Sequence, residues 1–305
     1  MFASLAALAF AQVMPLTIPL GKPPRQVERP IAPIETAGPA FAATCEENDE
    51  WDKPAPPVRI HANTYLVGTC GIAAILITGP QGHILIDSGT EKGADLVARN
   101  IRKLGFRLTD IKYLLSSHEH LDHVGGMARL RQLTGARIVA SPAAAAVLRT
   151  GAASADDPQA GMHPTFRAVD VERIIEDGGT VRLGDLLLTA VATPGHTPGA
   201  LSWHWGACYS GVCRRIVYAD SMTAISRDNY RFSDHPEYVA AFRNGLHKVA
   251  AVECDILLTP HPSASNMIQR MAGNAPLADA NACRAYAAKR EKELDERLAK
   301  EAAGK

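Results

Sequence analysis

Residues 118–123 hold four side chains that can bind a metal: His118, His120, Asp122 and His123. The apolar run at 111–115 predicts a buried strand, so the four side chains would lie in the loop at its end. A loop allows them to converge, and we expect Gly125 and Gly126 to permit the turn that this requires. Imidazole nitrogens and one carboxylate suit zinc. The segment therefore predicts a metal site.

A structural role for these histidines is the alternative interpretation. A single histidine beside a strand is usually a hydrogen-bonded core or surface residue, and short patterns carry a risk of false matches. Packing a core gains nothing from a cluster of three histidines and an aspartate, because each buried polar group needs a partner to offset its desolvation. The clustering favours the metal site.

Two further histidines follow apolar, strand-like runs and stand in tight turns. His196 lies in residues 193–199 (TPGHTPG), and His261 lies in residues 257–262 (LLTPHP). Either histidine alone would be weak support, because polar residues are common at strand ends. Together with the first cluster they supply six ligands. That number suits two zinc ions with coordination positions left for water.

From about Cys45 onward, these motifs resemble the metallo-β-lactamase superfamily of binuclear zinc hydrolases, and within it the third subclass of class B β-lactamases. The resemblance implies an α/β fold, a four-layer αβ/βα sandwich with the metals at one edge between two sheets. It also implies two ligand sets: His118, His120 and His196 for the first zinc, and Asp122, His123 and His261 for the second.

The subclass assignment depends on residues 218–224 (YADSMTA) and on the first histidine. The stretch lacks the cysteine and the lysine of the first subclass, and His118 stands where the second subclass has asparagine. Similarity to the third subclass implies that Ser221 and Thr223 hydrogen-bond the substrate carboxylate. We expect both to share one strand face, with Asp220 facing away from the metals. Serine and threonine also commonly finish strands, which is the structural alternative.

The resemblance implies zinc-dependent hydrolysis of the β-lactam amide bond, an antibiotic-resistance activity on small-molecule substrates that include carbapenems. A hydroxide made available by zinc would be the nucleophile, and Asp122 would orient it. No serine is followed by lysine at the Ser-x-x-Lys spacing of serine β-lactamases. The alternative enzyme is a thioester hydrolase of the glyoxalase II type, or a lactonase. A non-enzymatic zinc protein is disfavoured because structural zinc sites are closed and usually rich in thiolates.

Composition excludes several other classes. The 305 residues contain 32 Lys plus Arg and 32 Asp plus Glu, so the net charge of zero does not indicate binding to nucleic acid or to an anionic membrane. Hydrophobic residues make up 47% of the chain, enough for a sizeable core. No internal repeat or linker past residue 57 divides the chain, and we expect a monomer.

The N-terminus resembles a targeting region. Residues 1–11 are apolar, rich in alanine and too short to span a bilayer, as in the hydrophobic part of a secretory signal. Residues 12–44 are rich in proline and alanine and predict a processed or disordered leader. Cleavage could follow Ala11 or lie near Ala43. We therefore expect a leader at 1–44, a catalytic domain at 45–305 and a periplasmic location.

Cysteine usage favours export. The six cysteines are even in number, and none lies inside the histidine motifs. A Gly-containing turn between the strand-like runs at 201–205 and 215–218 would bring Cys208 and Cys213 close enough to bond. Sequence alone leaves the remaining connectivity open. The resemblance implies three bridges: Cys45 with Cys70, Cys208 with Cys213, and Cys254 with Cys283.

The remaining pattern predicts the elements around the site. Strands are expected within 58–88 and helices over 92–104, 236–252 and 264–271, with a long helix over 279–303 whose charges face solvent. Asp87 ends a strand and could support the metal loop or be a turn residue. Residues 151–166 predict a surface loop. Because a loop here borders the cleft in the resembling subclass, Met162 and His163 are candidates for substrate contact.

Overall fold

The computed structural model describes residues 34–46 and 50–304. These residues lie within one compact unit, residues 31–305. The secretory segment expected at residues 1–11 falls outside the described residues. None of the helices in the described part of the chain has the length and apolar character needed to cross a bilayer.

The first sheet has seven strands that lie in sequence order. Strands β1 to β4 are antiparallel, and β4 to β7 are parallel to one another. The strands are β1 Val58–His61, β2 Thr64–Leu66, β3 Ile75–Gly79, β4 Gly82–Ile86, β5 Ile111–Leu115, β6 Arg137–Ala140 and β7 Arg173–Ile174.

The second sheet has five strands in the order β12-β11-β10-β9-β8. Neighbouring strands are antiparallel except for β11 and β12, which are parallel. The strands are β8 Thr180–Leu183, β9 Leu186–Ala192, β10 Leu201–Tyr209, β11 Val212–Tyr218 and β12 Ile256–Leu258.

Helices flank both sheets. The helices expected over 92–104 and 236–252 correspond to α2 and α6, and the one expected over 264–271 is a 3₁₀ turn followed by α7. The helices are α1 Ile34–Cys45, α2 Glu91–Lys103, α3 Leu121–Val124, α4 Met127–Thr134, α5 Pro142–Thr150, α6 Pro236–Ala251, α7 Met267–Ala272 and α8 Ala282–Ala302.

Alternating side chains build three apolar layers between these elements. In β4, Ile84 and Ile86 join the core between the sheets, which includes Trp203, whereas Leu85 packs with α2, α4 and α5. In β11, Val217 joins a third cluster with α6 and α8. Successive strand residues face opposite sides of a sheet, so each sheet is covered on both faces. The predicted four-layer αβ/βα sandwich is confirmed.

Helix α1 covers the last residues of the expected leader. Helix α1 ends at Cys45, its Phe41 is fully buried in the core between the sheets, and Cys45 is bonded to Cys70. A Cβ on Gly38 would lie 2.2 Å from the carbonyl oxygen of Met271, so α1 approaches α7 closely. Helix α1 therefore packs on the core of the catalytic domain, and the expected boundary between residues 44 and 45 stays a prediction.

The expectation that the charges of the C-terminal helix face solvent is wrong for two residues of α8. Arg290 is 7% exposed and Glu301 is 3% exposed. The Glu301 carboxylate accepts hydrogen bonds from the backbone N–H groups of Phe232 and Ser233. Arg297 donates to the carbonyl oxygen of Ala224 at 3.3 Å. The periodicity of the sequence predicted the helix. It did not show that charged side chains of α8 bind the loop at residues 224–233, which is distant in sequence.

Disulfides join three pairs of cysteines. Cys208 and Cys213 face each other across the β10–β11 ladder, as the turn between these strands suggested. The structure bonds Cys45 to Cys70, Cys208 to Cys213, and Cys254 to Cys283, which are the pairs implied by the resemblance.

Candidate metal centre

The six predicted ligands come from both sheets. Strand β5 leads into residues 116–124, which carry His118, His120, Asp122 and His123, and β9 and β12 lead into the turns with His196 and His261. Strand β9 runs parallel to β11 and β12, because it is separated from β11 by one antiparallel neighbour. The loops after these strands therefore leave the second sheet at one edge, where they meet the loop after β5.

The turn after β5 forms by a different route from the one expected. Gly125 and Gly126 have right-handed backbone angles, and the short helix α3 reverses the chain. A Cβ on Gly126 would lie 2.8 Å from the carbonyl oxygens of Ser88 and Thr90. Gly126 is therefore needed for close packing against the loop after β4 and not for an unusual backbone conformation.

His118, His120 and His196 form the first donor set. Each offers a ring nitrogen within 4.8 Å of those of the other two, and all three side chains are buried. The second nitrogen of each ring is held by a neighbouring oxygen. The pairs are His118 Nδ1 with Asp220 Oδ1 at 2.8 Å, His120 Nε2 with Asp157 Oδ2 at 3.0 Å, and His196 Nδ1 with Thr223 Oγ1 at 2.8 Å.

These hydrogen bonds leave His118 Nε2, His120 Nδ1 and His196 Nε2 to face one another. An imidazole that binds a metal through one nitrogen commonly donates the other N–H to a carboxylate or another oxygen, which sets its tautomer. His118 Nε2 is buried and has no hydrogen-bond partner among the described residues. Burial holds the pKa of His118 and His196 well below the usual range, so both rings stay neutral. Neutral, oriented imidazoles fit a metal ion.

Asp122, His123 and His261 form the second donor set. Asp122 Oδ2 lies 2.9 Å from His123 Nε2 and 3.3 Å from His261 Nε2, and the two Nε2 atoms are 3.3 Å apart. Ligand atoms about 2.0–2.2 Å from a tetrahedral zinc lie roughly 3.3–3.5 Å from one another. His118 also lies within 4.8 Å of Asp122 and His123. We assign His118 to the first set because its free nitrogen can serve only one ion.

The second set favours positive charge. Burial opposes protonation of His123, but Asp122 and Asp87 outweigh it and raise the pKa of His123 to about 10. Burial likewise opposes ionisation of Asp122, yet His123 outweighs it and holds the pKa of Asp122 well below its usual range. A metal cation that replaces the His123 proton would be stabilised by the same two carboxylates, those of Asp122 and Asp87.

Asp87 supports the metal loop and does not act only as a turn residue. It is fully buried with φ at 64°, the left-handed conformation of many turns. Its carboxylate accepts hydrogen bonds from Ser117 N, Ser117 Oγ and Tyr218 Oη, each at 2.7 Å. Asp87 is therefore both a turn residue and a support for the metal loop. The turn at the end of β4 directs its carboxylate towards the loop after β5.

Ser221 and Thr223 do not share a strand face, and that expectation is wrong. Strand β11 ends at Tyr218, and Met222 between them has φ at 49°, so strand alternation does not apply. The Ser221 hydroxyl is buried and lacks a hydrogen-bond partner within the described part of the chain. Asp220 is fully buried, and its carboxylate lies on the Nδ1 side of His118.

Met162 and His163 lie in the loop expected at 151–166, which contains no helix or strand. Met162 is 47% exposed. The half-buried ring of His163 lies 5.4 Å from the ring of His120 and 5.8 Å from that of Trp51. The loop is therefore beside the first donor set, with Met162 presenting an apolar surface to solvent.

Sequence reasoning missed several residues that support the site. Asp157 holds His120, Gln159 Nε2 lies 3.4 Å from His196 Nδ1, and Arg227 donates to the carbonyl oxygen of Asp157 at 2.6 Å. Asp157 and Gln159 are buried although the loop looked exposed. The sequence around these two residues shows no helical or strand periodicity. Their contacts with His120 and His196 are visible only in the tertiary structure, because the partners lie 37 residues away.

Solved structures of known proteins resemble this chain over most of its length. The MIM-2 metallo-beta-lactamase is 56% identical with a TM-score of 0.84, and the match covers 87% of this chain and 98% of that one. MIM-1 from Novosphingobium pentaromativorans is 51% identical with a TM-score of 0.85 over the same shares. MEM-A1, a subclass B3 metallo-beta-lactamase from a soil metagenome library, is 42% identical with a TM-score of 0.80, covering 84% and 100%.

Sequence comparisons give the same family with shorter matches. The family model of the Metallo-beta-lactamase superfamily matches residues 67–208 of this chain. A hydroxyacylglutathione hydrolase of Bradyrhizobium sp. (strain ORS 278) is 30% identical over 134 residues, which cover 41% of this chain and 43% of that protein. The chain thus spans less than half the length of the curated relatives it matches.

The fold, the donor sets and these similarities show that the chain belongs to the metallo-β-lactamase superfamily. Within it, the chain groups with subclass B3, the third subclass of class B, as the sequence motifs indicated. The clustered histidine and aspartate side chains fit a metal cofactor, which in this family is usually zinc.

Proposed function

We propose that this protein hydrolyses the amide bond of β-lactams with two zinc ions. The observation that carries this proposal is the position of Asp220. Glyoxalase-type relatives use an aspartate in this region to bridge both metals, whereas here its carboxylate accepts from His118 Nδ1 at 2.8 Å. The second donor set is complete without it, because Asp122, His123 and His261 already converge. This arrangement supports the β-lactamase assignment over the thioesterase one.

The residues that would hold the ions are those of the two donor sets: His118, His120 and His196, and Asp122, His123 and His261. When bound, zinc lowers the pKa of water at an open coordination position and polarises a carbonyl group. Burial raises the pKa of the Asp220 carboxyl to about 8, so a positive charge near His118 would favour its ionised form. Asp220 would then hold the His118 ring in place.

Ser221 and Thr223 are proposed to bind the substrate carboxylate. With Nε2 of His196 as the ligand atom, Nδ1 carries the proton and donates to Thr223 Oγ1, so the Thr223 O–H remains free to donate to substrate. The Ser221 hydroxyl has no partner of its own among the residues described. A buried hydroxyl without a partner calls for a ligand or water. The hydroxyl groups of Ser221 and Thr223 can therefore both donate a hydrogen bond to an anion such as the substrate carboxylate.

Asp122 and the loop around Met162 would complete the site. Asp122 Oδ2 contacts His123 and His261, which leaves the other carboxylate oxygen to accept a hydrogen bond from the attacking water and orient it. Met162 and His163 would contact the substrate beside His120 and limit the access of bulk water. Arg227 fixes this loop through the carbonyl oxygen of Asp157.

Replacing Ser221 tests the carboxylate site. We expect Ser221→Ala to raise KM for a β-lactam by about tenfold while kcat falls much less, because one hydrogen bond to a charged group is worth about 1.5–3 kcal/mol. The comparison is steady-state kinetics with zinc content measured on the same samples. Unchanged KM at full zinc content would remove Ser221 from the substrate site.

The function itself is tested by offering both substrate classes. The zinc-loaded protein should hydrolyse nitrocefin and a carbapenem, and it should leave a glutathione thioester such as S-lactoylglutathione intact. The curated relatives named hydroxyacylglutathione hydrolase make the thioesterase the second candidate. Cleavage of the thioester without cleavage of nitrocefin would replace the first proposal with the second.

The cellular setting forms part of the same proposal. Three disulfides are expected to persist in an oxidising compartment, which supports a periplasmic or secreted protein. We further propose that it acts as a monomer, because both donor sets are assembled from one chain.

A further inference from the structure

Glu119 stands between His118 and His120 but contacts a different part of the chain. Its side chain is 3% exposed. Oε2 accepts a hydrogen bond from Thr197 Oγ1 at 2.7 Å, and Oε1 accepts one from Gly199 N at 2.8 Å. Both partners lie in the turn that carries His196, so the carboxylate joins a loop of the first sheet to a loop of the second.

The turn is shaped to receive this carboxylate. A Cβ on Gly199 would lie 2.7 Å from Glu119 Oε2 and 2.4 Å from Ala144 N, distances that real Cβ atoms do not show. Ser141 Oγ donates to the carbonyl oxygen of Gly199 at 2.7 Å from the start of α5. Gly199 is thus held on both sides, and glycine is needed there for close approach and not for its backbone angles.

His196 lies directly beside this attachment. Its ring centroid is 4.7 Å from that of His118 and 4.9 Å from that of His120. On its N-terminal side, Gly195 lies against the ring of Phe242 with φ at 152°, and on its C-terminal side Thr197 is bound by Glu119. Two further bonds to the loop after β5, from Leu201 N to Ser117 O at 2.7 Å and from Trp203 Nε1 to Ser116 O at 2.9 Å, come from β10 and not from the turn itself.

We infer that Glu119 is a positioning residue for the metal, acting through the turn that presents His196. Its carboxylate sets the distance between His196 and the pair His118 and His120 before a metal ion binds. Two hydrogen bonds from one side chain to the same turn, at 2.7 and 2.8 Å, restrict where the turn can lie. A ligand set held in its bound geometry loses less entropy on binding, and its affinity is higher.

The consequence is confined to one of the two donor sets. Glu119 touches the turn of His196, whereas His261 follows a different strand and its Nδ1 is held by the carbonyl oxygen of Gly71 at 3.2 Å. Loss of the carboxylate should therefore weaken the zinc bound by His118, His120 and His196. The zinc bound by Asp122, His123 and His261 should keep its affinity. The inference rests on the proposed metal role of these residues.

The experiment compares Glu119→Ala and Thr197→Val with Glu301→Ala. Glu301 is the control, because it is also 3% exposed and also accepts two backbone hydrogen bonds from a distant loop, in addition to its ion pair with Arg297. Zinc affinity is measured on the apoprotein by competition with a chromophoric chelator. We expect one of the two dissociation constants to rise about 10–100-fold in Glu119→Ala, and less in Thr197→Val. Glu301→Ala should keep both constants.

Glu119→Gln separates positioning from charge. The amide oxygen can still accept from Gly199 N, and the amide N–H can donate to the Thr197 hydroxyl, so we expect most of the affinity to return. The absorption spectrum of the cobalt-substituted protein should change in Glu119→Ala and recover in Glu119→Gln. Should Glu119→Ala fail to fold, Thr197→Val and Glu119→Gln still decide the matter.

Parental zinc affinity in Thr197→Val and Glu119→Ala would overturn the inference. An equal loss of affinity in Glu301→Ala would also overturn it, since metal binding would then follow general stability. The measurement needs no β-lactam. A protein whose zinc affinity depends on Glu119 but that does not cleave nitrocefin would sustain this inference while the proposed function fails.

Discussion

Removal of the metal is expected to lower nitrocefin hydrolysis by about 1,000-fold or more, because neither donor set contains a side chain that can replace zinc as an electrophile. The six ligands come from three loops, and the described residues contain no free cysteine that could act as a nucleophile. Dialysis against a strong chelator followed by stepwise addition of zinc measures both activity and stoichiometry. We expect activity to return as about two zinc ions bind per chain.

The apoprotein should remain folded in this experiment. The three apolar layers and the three disulfides do not pass through the metal ligands, so far-UV and near-UV circular dichroism should change little on chelation. A zinc stoichiometry below one, or full activity after complete chelation, would contradict the binuclear assignment.

Substituting His196 is expected to have the second largest effect. In His196→Ala, kcat/KM should fall by about 100-fold or more, because the first donor set retains only His118 and His120. Zinc content should fall from two ions towards one. The fold should persist, although Thr223 loses the hydrogen bond that it accepts from His196 Nδ1. The measurements are steady-state kinetics and metal analysis on the same preparation.

His204→Ala provides the control for this substitution. His204 lies on β10, is half-buried like many strand histidines, and belongs to neither donor set. Its removal should leave zinc content and kcat/KM near the parental values. Wild-type activity in His196→Ala, or an equal loss in His204→Ala, would take His196 out of the ligand set.

Local patterns in the sequence were sufficient to identify the donor groups. His118, His120, Asp122 and His123 are close in the chain, and the apolar runs before His196 and His261 identify the strand ends that present them. The pairing of Cys208 with Cys213 was also local, since a short turn joins their strands. Residues 118–123 and the two cysteines are close in the chain, so their spacing limits how far apart their side chains can lie. Residue type and periodicity were therefore enough to predict them as candidate ligands or bonded cysteines.

Strand alternation failed as a guide where the strand itself ended. Asp220, Ser221 and Thr223 were placed by assuming that β11 continues, but it stops at Tyr218 and the chain turns at Met222. The predicted solvation of α8 failed for a related reason. A helical pattern shows which face is apolar, but it cannot show that Arg290 or Glu301 will meet a distant loop.

The sequence by itself indicated the six candidate ligands and most helices and strands, because these depend on residue type and short-range spacing, and its resemblance to a known family implied the two ligand sets. Only the tertiary structure decided what holds those side chains. Asp220 lies 102 residues from His118, Asp157 lies 37 residues from His120, and Thr197 lies 78 residues from Glu119. Such partners are brought together by the packing of two sheets, and packing depends on the whole core and not on any one segment.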